Sequence, residues 1–403
     1  MRGMGPRAVS TPNARSAVRF LPCLCVLAFL LPASAFAAVS EAAEAPAGLL
    51  DFTPEGVLLA VDIPLGSREV RFKNEPAYEG DDLLRAAIPL GRNEAEFVGF
   101  AWDKSADRLY VDTNRNLDLT DDPGSPYRPS GVGGPLTVFK NVRLTIERDG
   151  LPLEYVLHVR LGLEWMSNAL VVSGWQGRVT FGETEFEVTV VDNLDGTLGV
   201  EDQLYLTAPG EKTDASAGVQ PDDLFIDSIA WGLPGHLAVA GATYAVDTAF
   251  EMTERGVAVR ARFLPPREPL GEVRIQGKHI RELVLTGSNV PVCIAFTPGD
   301  RLRLPAGMYS VNSVRLEGGW ELGYPRDGNA YRVTPEKPVT LPVGGPLRQR
   351  ITAERHVNRL DLSLAVTGAG GLPYSREGQF DAPPQFAVYR GDTQVHTGTF
   401  EYG

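Results

Sequence analysis

An all-β, multi-domain protein of sandwich or barrel type, following an export signal, is the fold class this sequence predicts, and three observations predict it. Short runs such as "GVLLAVDIPL", "AEFVGFAWD", "RLYVDT", "RVTFGETEFEVTVVD" and "GVAVRARF" are rich in Val, Phe, Tyr and Thr. Several alternate apolar with polar residues, and each is bounded by Gly, Pro, Asp or Asn. Strong amphipathic helices are absent after the N-terminal segment: "DDLLRAAI", residues 81–88, is the one modest candidate and reads equally well as a strand. The 43 Gly and 31 Pro in 403 residues suit many tight turns and strand ends.

The elements follow in chain order. Arg2, Arg7, Arg15 and Arg19 give a positive start without acids, residues 21–31 are apolar, and Ala35-Phe36-Ala37 supplies the small residues of a cleavage site. This reads as a signal peptide over residues 1–37. The apolar run of about 11 residues falls short of the roughly 20 that span a bilayer, and no comparable run follows. An exported product is expected, in the periplasm or at the cell surface, with no membrane span after cleavage. Cys23 and Cys25 lie at the start of the apolar run rather than just after it, which argues against a lipoprotein site. The remaining chain exceeds what one core usually serves. "FLPPREPLG" at 263–271 has three prolines and ends a strand-rich region, and "TLPVGGPLRQ" at 340–349 marks a second break. The expected pieces are a β-rich domain over 46–265, a sandwich-like segment over 268–340 and a C-terminal β segment over 345–403, the last two short enough to pack as one unit.

Charge and cysteine content narrow the function. Loss of residues 1–37 removes four arginines and no acids, which takes the formal charge from −13 to −17. Nucleic acid, itself an anion, is a poor partner for such a chain. Cys293 alone survives processing, so no intrachain disulfide can form in a compartment that would allow one. In "PVCIAF" it reads as a small buried hydrophobe.

Two acidic loops stand out. "LYVDTNRNLDLTDD", residues 109–122, places Asp112, Asn114, Asn116, Asp118 and Thr120 at every second position, with Asp121 and Asp122 at the end. Calcium takes six to eight oxygens, and a 12-residue EF-hand loop offers side chains at positions 1, 3, 5 and 9, a backbone carbonyl at 7 and a bidentate acid at 12. With Asp112 at position 1, Asn114 and Asn116 fill 3 and 5. Leu117 replaces the glycine at 6, and Pro123 occupies 12. In "VVDNLDGTLGVED", residues 190–202, Asn193, Asp195, Gly196 and Asp202 fall at 3, 5, 6 and 12, while Asp192 stands one residue late for position 1. The alternative reading is a pair of solvated hairpin turns, because Asp, Asn and Gly also serve turns without metal.

These phrases, followed by "DDLFIDSIAWG", resemble a group of exported bacterial β proteins that hold EF-hand-like or dockerin-like Asp/Asn loops without flanking helices. The resemblance covers roughly residues 95–235 and implies weak calcium binding, without enzymatic activity. In that group an Asp-Gly pair is expected where Asn116 and Leu117 stand. A second resemblance lies in "GDRLRLPAGMYSVNSVRL", residues 299–316, which looks like the "PAG-x-Y-x-V" strand-turn-strand of carboxypeptidase-regulatory-like and other immunoglobulin-like secreted modules. The last strands are expected to form a hairpin that turns at Arg390-Gly391-Asp392.

Catalytic patterns are missing. His158, His236, His279, His356 and His396 are far apart, with no His-Glu-x-x-His pair and no Gly-x-Ser-x-Gly elbow. "SGVGGP", residues 130–135, lacks the lysine of a phosphate loop. Glu164 near Trp165 and Trp175, and Asp222, Asp223 and Asp227 before Trp231, are the acid–aromatic pairs a glycoside hydrolase or carbohydrate-binding module would use. The favoured reading is a non-catalytic structural or binding protein with calcium-stabilised loops, whose partner is a protein or glycan at the cell envelope. The carbohydrate-active reading is the alternative.

Overall fold

Alternation along the sequence becomes two-faced strands. In Leu136–Arg148, the side chains of Val142, Leu144 and Ile146 are buried while Asn141, Arg143, Thr145 and Glu147 are exposed. Gly256–Leu264 likewise buries Val257, Val259, Ala261 and Phe263 and leaves Arg260 and Arg262 outside. The computed structural model describes residues 45–54, 61–64, 69–91, 93–133, 136–162, 167–210, 232–287, 292–323, 330–357, 359–376 and 385–400. Among them there is no α-helix, and one three-residue 3-10 turn at Ala369–Gly371. The ambiguous residues 81–88 fall largely within the strand Leu83–Leu90. The signal pattern of residues 1–37, Glu164 with Trp165, and Asp222, Asp223 and Asp227 with Trp231 lie outside the described residues.

Residues 44–403 form one compact unit of several sheets. The longest runs from Gln203–Thr207 through Thr184–Val191 and Gly174–Phe181 to Ala47–Thr53, then on through Gly256–Leu264, Ala242–Thr253 and His236–Val239 to Cys293–Phe296 and Ile280–Gly287. Ala47–Thr53 is its corner: residues 47–50 pair with Gly256–Leu264, and residues 51–53 pair with Gly174–Phe181. The two neighbours come so close that a Cβ on Gly177 would lie 2.6 Å from the Leu49 carbonyl oxygen, so this position admits only glycine. A five-stranded sheet contains the long hairpin Leu136–Arg148 and Leu151–Leu161, and a three-stranded sheet joins Leu83–Leu90, Asn93–Asp103 and Arg108–Val111.

Two cores result. The larger is built around Phe100, Phe139, Tyr155, Trp175, Phe181 and Phe263, with Trp175 edge-on to Phe52, Tyr155 and Phe250. The smaller contains Leu283, Cys293, Leu304, Tyr309 and Val314. His236–Val239 and Cys293–Phe296 serve both, because successive side chains leave opposite faces of a strand. Leu237, Val239 and Ile294 enter the large core, and Ala238, Cys293 and Ala295 the small one. Residues 265–269 connect Gly256–Leu264 to Leu270–Ile275, and the shared sheet continues on both sides of that connection. In the "PAG-x-Y-x-V" stretch the buried Tyr309 turns back and its hydroxyl donates to the Pro305 carbonyl at 2.9 Å. At the C-terminal end, Arg348–His356 pairs with Arg359–Thr367, and Gln385–Arg390 pairs with Thr393–Thr399 around Gly391, which has φ 61°.

Candidate metal centre

The second loop joins the neighbouring strands Thr184–Val191 and Gln203–Thr207, so both of its ends are fixed in the sheet. Asp192 and Asp202 stand at these ends with 0% and 1% of their surfaces exposed. Between them the chain takes left-handed backbone at Leu194 (φ 75°) and Gly196 (φ 73°). The reason is local: Asn193 Oδ1 accepts from the Asp195 N–H at 3.1 Å, and Asp195 Oδ1 accepts from the Thr197 N–H at 2.7 Å. Two successive side-chain-to-backbone turns of this kind curl the loop inward. Carboxylate oxygens of Asp192, Asp195 and Asp202 then lie within 4.8 Å of one another, the one such group among the described residues.

The hydrogen bonds leave this group unfinished. Asp192 Oδ1 accepts from the Tyr155 hydroxyl at 2.8 Å, from the Leu194 N–H at 2.7 Å and from the Gly196 N–H at 3.3 Å. Its Oδ2 is buried and finds no hydrogen-bond partner among the described residues. Asp202 Oδ1 accepts from the Asn193 N–H at 2.9 Å and Oδ2 from the Gly199 N–H at 2.6 Å. Burial pushes the Asp192 carboxyl up to about 7 against the pull of the Tyr155 hydroxyl, and the charge of Asp195 adds to the rise. Burial, and next the charge of Asp192, push Asp202 up to about 8. A buried carboxylate oxygen without a donor is costly unless a proton or a cation meets it. The group can hold a metal ion: opposite oxygens around a cation bound at about 2.5 Å stand about 5 Å apart, and the observed separations fall inside that span.

The first loop has the same backbone with different chemistry. Arg115 (φ 60°) and Leu117 (φ 66°) occupy the places of Leu194 and Gly196. Asn114 Oδ1 accepts from the Asn116 N–H at 3.1 Å and Asn116 Oδ1 from the Asp118 N–H at 2.7 Å, as Asn193 and Asp195 do in the second loop. Asp122 closes it by accepting from the N–H groups of Thr113 (2.7 Å) and Asn114 (3.2 Å), the part Asp202 plays for Asn193. One residue fewer separates this closing acid from the turns. Asp112, 1% exposed, accepts from the Asn116 and Leu117 N–H groups, both at 3.0 Å. Burial raises its carboxyl, opposed by the Leu117 N–H, and the Asp122 charge adds to the rise.

Amides, not acids, gather in the middle of this loop. Asn114 and Asn116 donate to the two oxygens of Asp121 at 3.0 and 2.9 Å, Asn74 donates to Asp118, and Thr120 donates to Asp118 as well. These donors hold the Asp118 carboxyl below its usual range, the Thr120 hydroxyl most and Asn74 next. Among the described residues Asp122 Oδ2 is buried without a partner, but no third carboxylate joins Asp112 and Asp122. Of the residues the sequence singles out, Asp192, Asp195 and Asp202 are therefore brought together. Asn193 shapes the turn and closes on Asp202, and the set from Asp112 to Asp122 is satisfied mostly from within.

The other candidates have structural roles. Trp175 is 1% exposed and donates to the Val257 carbonyl at 3.0 Å, and Trp102 is also buried. Cys293 is fully buried, and burial pushes its thiol up to about 12. Buried His236 lies 3.6 Å from Glu268, His279 pairs with Glu317 at the surface, and His356 with Asp361. Tyr155, 37 residues from Asp192, and Arg148, which donates to the Asp195 carbonyl at 2.9 Å, were not visible as site residues. Both come from the hairpin Leu136–Arg148 and Leu151–Leu161, and nothing in their local sequence marks them. Set against family models, curated proteins and solved structures, the chain gives no match.

Proposed function

We propose that this is an exported, non-catalytic structural or binding protein in which the loop over residues 192–202 takes a calcium ion that stabilises the β domain. One observation supports the cation above all: Asp192 is wholly buried, its Oδ2 has no donor among the described residues, and carboxylate oxygens of Asp195 and Asp202 lie within 4.8 Å. Calcium suits a group of three carboxylates on a loop, since it takes oxygen ligands in a flexible geometry. Its job here is mechanical, since it neutralises clustered acids and ties the ends of Thr184–Val191 and Gln203–Thr207. Export to the periplasm or cell surface follows from the N-terminal signal pattern, and the exported β proteins with Asp/Asn loops that the sequence resembles favour the same ion. Trp175, the described member of the acid–aromatic pairs, is a core residue and offers no ring face to a sugar.

Calorimetric titration with calcium, paired with thermal unfolding in calcium and in chelator, tests the proposal. Binding heat and a higher melting temperature in calcium are expected; a ligand at one hundred times its Kd adds about 2.7 kcal/mol. No heat up to millimolar calcium, with identical melting in chelator, refutes it.

A further inference from the structure

Glu96 lies on the strand Asn93–Asp103, outside both acidic loops, yet it meets a side chain from each side. Its Oε2 pairs with the Arg148 guanidinium, and Arg115 of the first loop approaches the same oxygen to 3.8 Å. Arg148 in turn donates through Nε to the Asp195 carbonyl oxygen at 2.9 Å. An unbroken path results, from Asp195 through Arg148 and Glu96 to Arg115. The hydrogen bond from Arg148, more than any other influence, holds the Glu96 carboxyl low, so it is ionised at neutral pH.

Packing makes this path stiff at the second-loop end. A Cβ on Gly91, in the turn before the Glu96 strand, would lie 2.4 Å from the Asp195 Cβ, and one on Gly196 would lie 2.3 Å from Arg148 Cγ. The Gly91 turn thus packs close to Asp195, and the arginine close to Gly196 beside it. At the first-loop end, Arg115 sits in left-handed backbone, and the opposite flank of the loop is pinned by Lys73 and Asn74 through the Leu117 carbonyl and the Leu119 N–H. The Arg115 side chain therefore reaches Glu96 from a loop whose far flank is held in place.

We propose that Glu96 is a positioning residue that couples the two loops, so that a cation held by Asp192, Asp195 and Asp202 also orders residues 112–122. The inference rests on the cation reading above. When the ion draws the Asp195 carboxylate inward, the Asp195 carbonyl is fixed against Arg148, and Glu96 then holds both guanidinium groups in one arrangement. By linkage, any restraint on the first loop strengthens cation binding at the second by the same factor.

Hydrogen exchange of the full chain, read peptide by peptide with and without calcium, tests the coupling. Calcium is expected to slow exchange over 192–202 and, by at least about fivefold, the low end of usual coupling factors, over 112–122. Glu96→Gln should keep the first effect and lose most of the second. Arg115→Gln, which leaves Arg148 and Glu96 paired, should do the same and serves if the Glu96 variant misfolds. Asp202→Asn should abolish both effects. Protection of 112–122 that survives Glu96→Gln and Arg115→Gln, or that persists in Asp202→Asn, overturns the coupling. So does protection confined to 192–202 in the unsubstituted protein, an outcome that leaves the cation site standing. Absence of any calcium effect over 192–202 removes the cation reading and the coupling together.

Discussion

The two acidic loops share a backbone and differ in what their carboxylates meet. Each turns twice through left-handed residues, at Arg115 and Leu117 or at Leu194 and Gly196, and each is closed by an acid that accepts from the start of the loop. In the first, Asn116 stands where the second has Asp195, and amides from Asn74, Asn114 and Asn116 answer the acids around them. In the second, three acids converge, and backbone N–H groups and the Tyr155 hydroxyl leave the Asp192 Oδ2 without a donor. Either Asn or Asp can accept the hydrogen bond that makes such a turn. The third acid, and the donors brought from other strands, decide whether the finished loop has charge left over for a cation.

The largest expected break in this comparison is Asp195→Ala. It removes one of three converging carboxylates and should abolish both the calcium heat and the calcium-dependent rise in melting temperature, whereas Asp118→Ala in the first loop should leave both. Equal losses from the two substitutions would show that the loops are not distinct in this respect.

Next comes Asp112→Ala. The Leu117 N–H loses its acceptor and the Asn116 N–H keeps only Asn114 Oδ1, and the expected cost is about 2 kcal/mol in calcium and in chelator alike. Denaturant unfolding measures it. A cost that appears only with calcium present would make the first loop a metal site of its own.

Proton linkage separates the loops by pH. The folded pKa values of Asp192 and Asp202, about 7 and about 8, lie above the unfolded value of about 3.9. The folded protein therefore binds more protons than the unfolded chain between these limits. Stability from this source is full below about pH 4 and is lost as pH rises through 7 and 8. In chelator the melting temperature should fall over that window. In calcium, which binds the ionised carboxylates and releases their protons, the fall should flatten, and Asp202→Asn should reduce it in chelator. Parallel pH profiles in calcium and in chelator would count against the second loop as the linked site.

The smallest effect belongs to Leu117→Gly. Leucine at φ 66° pays for left-handed backbone that glycine adopts freely, as Gly196 does at the matching place. The variant should be more stable by up to about 1 kcal/mol in thermal unfolding, the relief of strain being partly offset by the greater freedom of the unfolded chain. Gly196→Ala should go the other way and by more, since a Cβ there would meet Arg148 Cγ at 2.3 Å.

Features that depend on near neighbours were readable in the sequence. Strand alternation is a period of two residues, so the all-β class was legible, as was the hairpin around Gly391. Both acidic loops were legible for the same reason, because the hydrogen bonds that curl them span two to five residues. Which loop gathers a third carboxylate was set by the tertiary structure. Asn74 reaches Asp118 across 44 residues, Tyr155 reaches Asp192 across 37, and Arg148 reaches the Asp195 carbonyl across 47. The Tyr155 contact with buried Asp192 likewise comes from a strand of another sheet. Local pattern sets the shape of a turn, whereas the balance of charge, donors and solvent inside it is set by whatever the fold packs around it.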